Sequence, residues 1–444
     1  MISAYVRNNI PSDAINCLYK MLTYDVNPDF YTFPPVLKAC RNTKDGTRIH
    51  CWILKSGLEW DVFVAASLVH MYCRFDLFDS AYQIFSNMPA RDMGCWNAII
   101  LGFCQNGKVD KAVNVLDEMK FEGIKMDSIT VSTVLPVYAQ MDDMLQGRLL
   151  HLYVINHGLD SDLFVSNAFV NFYAKFGEVE QAQKIFDNLV TKDLVSWNSI
   201  IAAYEHNHFP DCAVDFFCQM QMKGFKPDLL TLVSIASSIA QSRDSSRSKC
   251  VHGFILRRCW FDKDVIIGNT VVDMYGQNGL ASEAIEVYRM MVETASVTPN
   301  QGTWASIIPA YAHIRVLKEG ATTYGKVLKN GLLLNVFIGT CLVDLYGKCG
   351  QVEDAMLLFY EVPRTSSVPW NAVISSLGIH GHGEKSLQLF RNMLDERAHP
   401  HTMTFISLLS ACSHSGLVEQ GECCINVMQK EYGIKPGLKH YGVW

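Results

Sequence analysis

The sequence contains no apolar run long enough to cross a membrane as a helix. Its longest uninterrupted apolar stretch, Ala355 to Tyr360, is far shorter than the roughly 20 residues that a spanning helix needs. The N-terminus also lacks a basic segment followed by an apolar core, since MISAYVRNNIPSDAI passes directly into a helix-like pattern. These absences predict a soluble chain in which no transit peptide is visible.

Excess positive charge and paired cysteines are missing as well. The chain has 38 Lys and Arg against 44 Asp and Glu, a formal net charge of −6. Proteins that bind nucleic acid mainly by neutralising phosphates carry clustered Lys and Arg, so any such binding here must use more selective contacts. None of the 15 cysteines forms a Cys-x-x-Cys pair. In a large chain without a secretory signal, this indicates reduced, packed thiols.

The sequence instead repeats three kinds of segment. One kind, such as CWNAIILGFCQNGKVDKAVNVLDEM, carries a tryptophan, at Trp96, Trp197 and Trp370. A second kind, such as LFVSNAFVNFY, begins at Val62, Leu163, Val265 and Val336. A third kind, such as FYTFPPVLKAC, begins at Phe30, Ser128, Leu229, Gln301 and Thr402.

The spacing of the third kind predicts alternating units of three lengths. Its intervals are 98, 101, 72 and 101 residues, and 101 divides into 35, 35 and 31. The interval of 72 is short by about one unit, and we interpret residues 265–300 as a hybrid of two units. From Phe30 to Gly437 the chain has 408 residues in 12 units, a mean of 34 per unit.

Each unit reads as a pair of amphipathic helices. In residues 95–127 the first apolar stripe contains Trp96, Ile99, Ile100 and Phe103, at helical spacing, and Gly107 suits a C-terminal cap. The second stripe consists of Val109, Ala112, Val113, Leu116 and Met119, and Gly123 ends it. One hairpin of this size cannot bury its apolar surface alone, so the units must stack into an all-α superhelical solenoid.

The motifs identify a repeat family. The units share V/S-x-W-N-x-I-I, then N-G, then A-x-x-x-F/L-x-x-M and K-P-D, whereas the W-x2-L-G-x2-Y pattern of tetratricopeptide repeats is missing. The sequence resembles the pentatricopeptide-repeat family, specifically the plant subclass with alternating P, L and S units. The resemblance covers essentially the whole chain. It implies a right-handed alpha-alpha superhelix of helix-turn-helix repeats, truncated at both ends and without the C-terminal E/DYW region.

The resemblance also implies a domain organisation. We expect a truncated P repeat, an array of L, S and P triplets, a hybrid S/P repeat, a second array of L, S, P and L repeats, and the start of an incomplete repeat. Their respective boundaries are 1–29, 30–264, 265–300, 301–437 and 438–444.

An asparagine recurs at the fifth place of several units. Asn97 lies about 100° around its helix from Trp96, so we expect it to leave the packed stripe and face an inner groove. A planar amide offers a donor and an acceptor to the Watson–Crick edge of a single-stranded base. The alternative is a purely structural role, in which Asn97, Asn198 and Asn371 only cap their helices or face solvent.

In the family that the sequence resembles, the fifth and last residues of a unit form a base-reading pair, and Asn with Asp implies uridine. The matching pairs are Asn97 with Asp127, Asn167 with Asp193, and Asn198 with Asp228. Asn269 with Asn300 implies cytidine. Two further pairs lack a final Asp, so the resemblance does not assign a base to them: Thr340 with Ser366, and Asn371 with His401. Some units have no hydrogen-bonding group at the fifth place and are expected to be spacers or non-selective, among them those of Ala66, Val233, Ala305 and Ile406.

The resemblance further implies that the second residue of a unit flanks the base. Phe164, Val195 and Phe337 fit that role, whereas Gly94 does not. Base stacking on such side chains contributes about 1–3 kcal/mol per base, so Gly94 is expected to weaken the unit that contains Asn97.

The sequence contains no complete catalytic or metal-binding motif. Longer members of the subclass carry a zinc deaminase domain with H-x-E and C-x-x-C motifs. The triplet His382 to Glu384 falls in a turn between helices and no C-x-x-C follows it, so we interpret it as accidental. His50, His151 and His252 recur 101 residues apart, and because they belong to different units we expect a packing or hydrogen-bonding role. We predict no enzyme, cofactor or metal.

The resemblance implies sequence-selective binding of single-stranded RNA. The chain would act on transcripts in a mitochondrion or chloroplast, as an editing or processing specificity factor that recruits an enzyme or accessory factor supplied in trans. Two alternatives remain open at this stage: a peptide-binding scaffold like tetratricopeptide arrays, or a truncated product with little activity.

Overall fold

The computed structural model describes residues 1–258, 264–293 and 298–443. Within those ranges the chain is built from 27 α-helices and one short 3-10 helix, and they contain no strand. None of these helices is both long and apolar enough to cross a membrane. The chain forms two compact units, Met1–Asn207 and His208–Trp444.

The helices of the first unit are α1 (Ile2–Arg7), α2 (Pro11–Thr23), α3 (Phe33–Ala39), α4 (Thr43–Lys55), α5 (Val62–Arg74), α6 (Phe78–Asn87), α7 (Met93–Gln105), α8 (Val109–Phe121), α9 (Ser128–Gln140), α10 (Met144–Asn156), α11 (Leu163–Lys175), α12 (Val179–Asn188) and α13 (Leu194–His206).

The helices of the second unit are α14 (Pro210–Met222), α15 (Leu229–Ser242), α16 (Ser245–Arg257), α17 (Val265–Gln277), α18 (Ala281–Glu293), α19 (Gln301–Ile314), α20 (Leu317–Lys329), the 3-10 helix Leu332–Leu334, α21 (Val336–Lys348), α22 (Val352–Glu361), α23 (Ser367–Ile379), α24 (Gly383–Asp395), α25 (Thr402–His414), α26 (Val418–Lys430) and α27 (Leu438–Val443).

The odd-numbered helices form a continuous layer inside each unit. In the first unit α1, α3, α5, α7, α9, α11 and α13 pack in succession, and in the second unit the same holds from α15 to α27. Even-numbered helices pack on this layer, as α6 does on α5 and α7. Each odd-numbered helix therefore buries apolar surface against neighbours on several sides. This explains why 49% of the residues are hydrophobic although the helices are short.

The hairpin predicted for residues 95–127 is present as α7 and α8. Trp96, Ile99, Ile100 and Phe103 are buried as predicted. Gly107 has a φ of +66°, which places the turn after α7 in the left-handed region that glycine adopts without strain.

The predicted stripe of α8 is wrong at one position. Val115 is buried, whereas Val113 is only partly buried. Ala112, Val115, Leu116 and Met119 follow the i, i+3, i+4, i+7 spacing of one helix face, and Val113 lies beside that face.

A tryptophan joins each of three units to the helix before it. The Trp96 ring packs edge-on against Phe85 of α6, with 4.8 Å between ring centroids, and the Arg91 guanidinium lies 5.4 Å from the Trp96 ring. The same arrangement recurs with Trp370 and Phe359, again 4.8 Å apart. Edge-to-face aromatic pairs of this kind stabilise by about 0.5–1.5 kcal/mol beyond their buried area.

Asn106 connects the C-terminal ends of two successive odd-numbered helices. Its Nδ2 donates to the carbonyl oxygen of Cys73 in α5 at 3.2 Å and to that of Gly102 in α7 at 2.8 Å. These carbonyls belong to the last turns of their helices, and that of Cys73 also accepts from the backbone N–H of Asp76 at 3.1 Å. One amide therefore satisfies acceptors on both helices and fixes their relative position.

We expect Asn106→Ala to lower the free energy of unfolding by about 1–2 kcal/mol, because two hydrogen bonds to partly buried carbonyls are lost. Urea unfolding followed by circular dichroism at 222 nm measures this change. Asn114→Ala on the exposed face of α8 is the matched control and should change stability by less than about 0.5 kcal/mol. Equal effects of the two substitutions would contradict the role of Asn106.

Candidate nucleic-acid interface

The last residue of almost every repeat unit caps the following odd-numbered helix. Its side-chain oxygen accepts a hydrogen bond from a backbone N–H of the first helical turn, which has no partner within the helix. The residues that do so are Asp61, Asp92, Asp127, Asp162, Asp193, Asp228, Asp264, Asn300 and Asn335, and His401 does so through a ring nitrogen.

The capping positions argue against one sequence-based alternative. Asn97, Asn198 and Asn371 do not cap α7, α13 and α23, because the N-cap residues of those helices are Asp92, Asp193 and Ser366. The asparagines lie one turn inside their helices. A capping role is therefore wrong for all three.

Asn97 and Asp127 meet although 30 residues separate them in sequence. The Nδ2 of Asn97 donates to both carboxylate oxygens of Asp127, at 3.2 and 3.1 Å. Asp127 is fixed by the N–H of Thr130, which donates to its Oδ1 at 2.7 Å. The Thr130 hydroxyl lies 2.7 Å from the Asn97 Oδ1 and 2.8 Å from the Asp127 Oδ1. The cap of α9 thus holds the fifth residue of α7.

This arrangement leaves hydrogen-bonding capacity on the amide of Asn97. A side-chain amide has two N–H donors and an oxygen with two lone pairs. The carboxylate of Asp127 engages one N–H, and Thr130 engages at most one lone pair. One donor and one acceptor remain, and Asn97 is partly exposed. That combination matches the paired acceptor and donor on the edge of a pyrimidine base.

The pair Asn269 and Asn300, in the compact unit 208–444, has the same contact between fifth and last residues. The Nδ2 of Asn269 donates to the Oδ1 of Asn300 at 3.1 Å, and the same oxygen accepts from the N–H of Thr303 at 3.1 Å. The Oδ1 of Asn269 is buried and has no hydrogen-bond partner among the described residues. Residues 294–297 of the predicted hybrid repeat lie outside the described ranges.

The pair Asn167 and Asp193 is arranged differently. Asn167 is only 6% exposed, and its Oδ1 has no hydrogen-bond partner in the part of the chain that the structure describes. Asp193 accepts from the N–H and the hydroxyl of Ser196, both at 2.8 Å. Asn198 is also 6% exposed. It belongs to the first unit and Asp228 to the second.

Two further predicted pairs lack the contact between fifth and last residues. Thr340 is 7% exposed, and its hydroxyl donates to the carbonyl oxygen of Val336 at 2.6 Å, within α21. Ser366 makes no side-chain cap to α23. The Oδ1 of Asn371 is buried and unpaired among the described residues, while His401 caps α25 by accepting from the N–H of Met403 at 3.2 Å.

The second residue of nearly every unit is an exposed apolar side chain. Phe164, Val195 and Phe337, named from the sequence, are 77%, 55% and 60% exposed. Sequence reasoning missed the other second residues, although the same position in each repeat would have identified them. They are Tyr31, Phe63 and Ile129 in the compact unit 1–207, and Leu230, Ile266, Val368 and Met403 in the compact unit 208–444. The second and fifth residues are three apart on one helix and therefore lie on the same face.

The recurring histidines form hydrogen bonds, as predicted. The Nδ1 atoms of His50, His151 and His252 lie 2.8, 2.9 and 3.0 Å from the Oη atoms of Tyr72, Tyr173 and Tyr275. At the fourth equivalent place, Tyr324 packs edge-on against Tyr346. His382 is the N-cap residue of α24, and Glu384 lies in the first turn of that helix.

The chain matches models of known repeat families. The model described as "PPR repeat" matches residues 1–26, 66–93, 164–194, 195–225, 269–293, 340–364, 368–397 and 403–432, and "PPR repeat family" matches 91–140.

Two relatives from Arabidopsis thaliana align with the whole chain. The pentatricopeptide repeat-containing protein At4g33990 is 46% identical over 474 residues, which cover 57% of that protein. The pentatricopeptide repeat-containing protein At1g11290, chloroplastic, is 31% identical over 476 residues and is covered to 59%. The chain therefore spans somewhat more than half the length of these curated relatives.

Solved structures confirm the predicted fold class. The pentatricopeptide repeat protein PPR10, in complex with an 18-nt psaJ RNA element, matches with a TM-score of 0.64 at 16% identity, over 100% of this chain and 80% of that chain. PPR10 from maize matches with a TM-score of 0.59 at 15% identity, over 100% and 74% of the two chains.

We expect these partly buried histidines to make stability depend on pH. Burial lowers the pKa of His50, His151 and His252, and a nearby acid offsets this only in part. The folded chain therefore keeps the rings neutral, whereas an unfolded histidine binds a proton below about pH 6.5. Stability should fall as pH drops through that value toward the lowered folded pKa.

Urea unfolding at pH 7.5 and pH 5.5 tests this expectation. The His50→Tyr variant, which copies the natural Tyr324, should lose less stability on acidification than the wild type. The converse variant, Tyr324→His, should lose more. An identical loss in all three proteins would show that the histidines do not carry the effect.

Proposed function

The chain belongs to the pentatricopeptide-repeat family, and on that premise we propose that it binds single-stranded RNA with sequence selectivity. The observation that carries the proposal is the hydrogen-bonded pair of Asn97 and Asp127, on the helix layer that also exposes the apolar second residues. The RNA complex of PPR10, which shares the fold, supports it.

In the proposed mode of binding, each base lies beside the exposed second residue of a unit. Aromatic and aliphatic side chains offer flat contact area to every base, so stacking contributes affinity of about 1–3 kcal/mol per base without selectivity. Selectivity comes from the amide of the fifth residue. The remaining N–H and carbonyl oxygen of Asn97 would bind a carbonyl oxygen and the N3–H of uracil.

The remaining pairs extend the proposal by the pattern of the family. Asn167 with Asp193 and Asn198 with Asp228 would read uridine, and Asn269 with Asn300 would read cytidine. Thr340, Ser366 and Asn371 would contact the bases at their own positions. Because Asn167, Asn198 and Thr340 are largely buried, only the outer edges of their polar groups would meet the base.

The finer biological role is also part of the proposal. We place the chain in the PLS subclass, with the repeat boundaries given above, and propose that it selects sites for editing or processing in organellar transcripts. The relative At1g11290 is named chloroplastic, which supports an organelle without choosing between chloroplast and mitochondrion. The chemical step would come from an enzyme that the bound chain recruits in trans.

We expect tighter binding of U-rich than of A-rich RNA. Fluorescence anisotropy with labelled 20-nucleotide single strands measures both affinities at several salt concentrations. Because the net charge is −6, affinity should depend less steeply on salt than it does for phosphate-neutralising proteins. Equal affinities for the two RNAs would contradict base reading, and tighter binding of a peptide library than of RNA would favour the scaffold alternative.

We expect Asn97→Ala to remove the uridine preference at one RNA position and to leave the other positions unchanged. The loss of the base contact should reduce discrimination about fivefold to tenfold, as for one or two hydrogen bonds. Selection from a randomised RNA pool, followed by sequencing, measures every position at once.

The control for this experiment is Asn106→Ala, at the residue that directly follows α7. It removes an amide of the same size that binds only backbone carbonyls. It should lower stability and leave the selected sequence unchanged. A change in the selected sequence with Asn106→Ala, or a uniform loss of binding with Asn97→Ala, would mean that Asn97 is structural.

A further inference from the structure

A cavity of about 520 Å³ opens on the odd-numbered helix layer of the first unit, between α3, α5 and the start of α7. Its walls include Phe63 and Ala66, the second and fifth residues of one repeat, and Asp92, the last residue of that repeat. Gly94, the second residue of the next repeat, lines it beside Asp92. The cavity thus occupies the place where this repeat would hold its base.

Two small residues make this cavity wide. Ala66 stands where five other units carry an asparagine amide, and Gly94 stands where most units carry a flanking apolar side chain. A β-carbon placed on Gly94 would lie 3.2 Å from the Asp92 Oδ1, so a larger side chain there would crowd the carboxylate. The space beside the exposed Phe63 ring therefore remains open as far as Asp92.

Asp92 supplies the cavity with an acceptor whose position is fixed. Its Oδ1 accepts from the N–H of Cys95 at 2.9 Å and caps α7, which holds the carboxylate in place. An ionised carboxylate accepts hydrogen bonds and donates none. A ligand that binds it must therefore present N–H or O–H groups.

The polar side chains of Lys38, Ser67 and His70 also line the cavity, and His70 lies one turn beyond Ala66 on α5. It is partly buried, and none of the residues described by the structure forms a hydrogen bond with its ring. Burial, and then the positive charges of Arg74 and Lys38, lower its pKa. The ring is therefore neutral at pH 7, with one donor and one acceptor nitrogen available.

We propose that this cavity binds a guanine base of the RNA, with His70 and Asp92 as the residues that determine specificity. The inference rests on the proposed RNA binding and replaces the expectation that the Ala66 repeat is non-selective. Guanine presents N1–H and the N2 amino group side by side on its Watson–Crick edge, which suits a carboxylate. Its O6 and N7 acceptors suit the N–H of His70.

The other bases fit this set of groups less well. Adenine presents an acceptor, N1, where the carboxylate of Asp92 requires a donor. Uracil presents a single N–H, and cytosine presents an acceptor beside its amino group. Pyrimidines are also smaller, so they fill less of a cavity that lacks side chains at Ala66 and Gly94. Phe63, 66% exposed, offers its ring to the face of the base.

RNA selection with the full chain tests the inference. The position read by Asn97 is assigned first, as the uridine that Asn97→Ala no longer selects. The neighbouring nucleotide that belongs to the Ala66 repeat is then changed to each of the four bases, and affinities are measured by fluorescence anisotropy. We expect guanine to bind about tenfold more tightly than uracil or cytosine at that position.

Three substitutions sharpen the test. His70→Ala should reduce the guanine preference about fivefold, and Gly94→Val should abolish it by filling the cavity. Asp92→Asn keeps a good capping residue but adds a donor, so it should move the preference from guanine toward adenine. Asn171→Ala changes the residue that matches His70 in the repeat starting at Leu163, and it should leave this position unaffected.

The outcomes separate this inference from the proposed function. If all four bases bind equally at this position while Asn97 still selects uridine, the guanine site is wrong and RNA reading stands. If Asp92→Asn or His70→Ala leaves the guanine preference intact, these residues do not determine it and the inference fails. If the chain binds no RNA at all, both proposals fail together.

Discussion

The hydrogen bond that the last side chain of a repeat accepts from the first turn of the next helix is the contact on which the candidate interface depends. A cap of this kind stabilises a helix by about 1 kcal/mol. In a stacked array, stability comes mainly from the interfaces between neighbouring repeats. Asp127 acts at such an interface, because it caps α9 and also accepts from Asn97 of α7. Two repeats are thereby joined, and two polar groups converge on one place.

The hairpins and their apolar stripes could be predicted because both follow from spacing within one helix. Trp96 and Phe103 are buried where helical periodicity predicts. The acidic residues that precede the helices, such as Asp127, can be recognised in the sequence as N-terminal caps. The contact between Asn97 and Asp127 could be inferred only through the family pattern, since it arises from stacking across 30 residues. The deep burial of Asn167 was not predictable, because it depends on packing by neighbouring helices.

The charge distribution agrees with an interface that would bind RNA through contacts to individual bases rather than through electrostatic attraction to phosphates. Several cations on the odd-numbered helices already have partners. Arg74 donates to the carbonyl oxygens of Lys38 and Leu37 at 2.9 and 3.1 Å, and Lys348 pairs with Asp344 at 2.7 Å. Cations held by the fold have less freedom to follow a phosphate backbone. With a net charge of −6, the proposed affinity for RNA would come largely from stacking and from hydrogen bonds to bases.

The number of oxygens on the capping side chain limits how many contacts it can make to the fifth residue and to the next helix. Asp127 has two, so its Oδ1 can cap α9 while its Oδ2 accepts from Asn97 at 3.1 Å. Asn300 has one, and that oxygen must serve both Thr303 and Asn269. Ser366 makes no cap at all, and the Thr340 hydroxyl bonds to its own helix instead. An aspartate can thus cap one helix and hold an amide of the preceding helix with separate oxygens, an asparagine must share one oxygen between both contacts, and we expect selectivity to decrease from Asp to Asn to Ser.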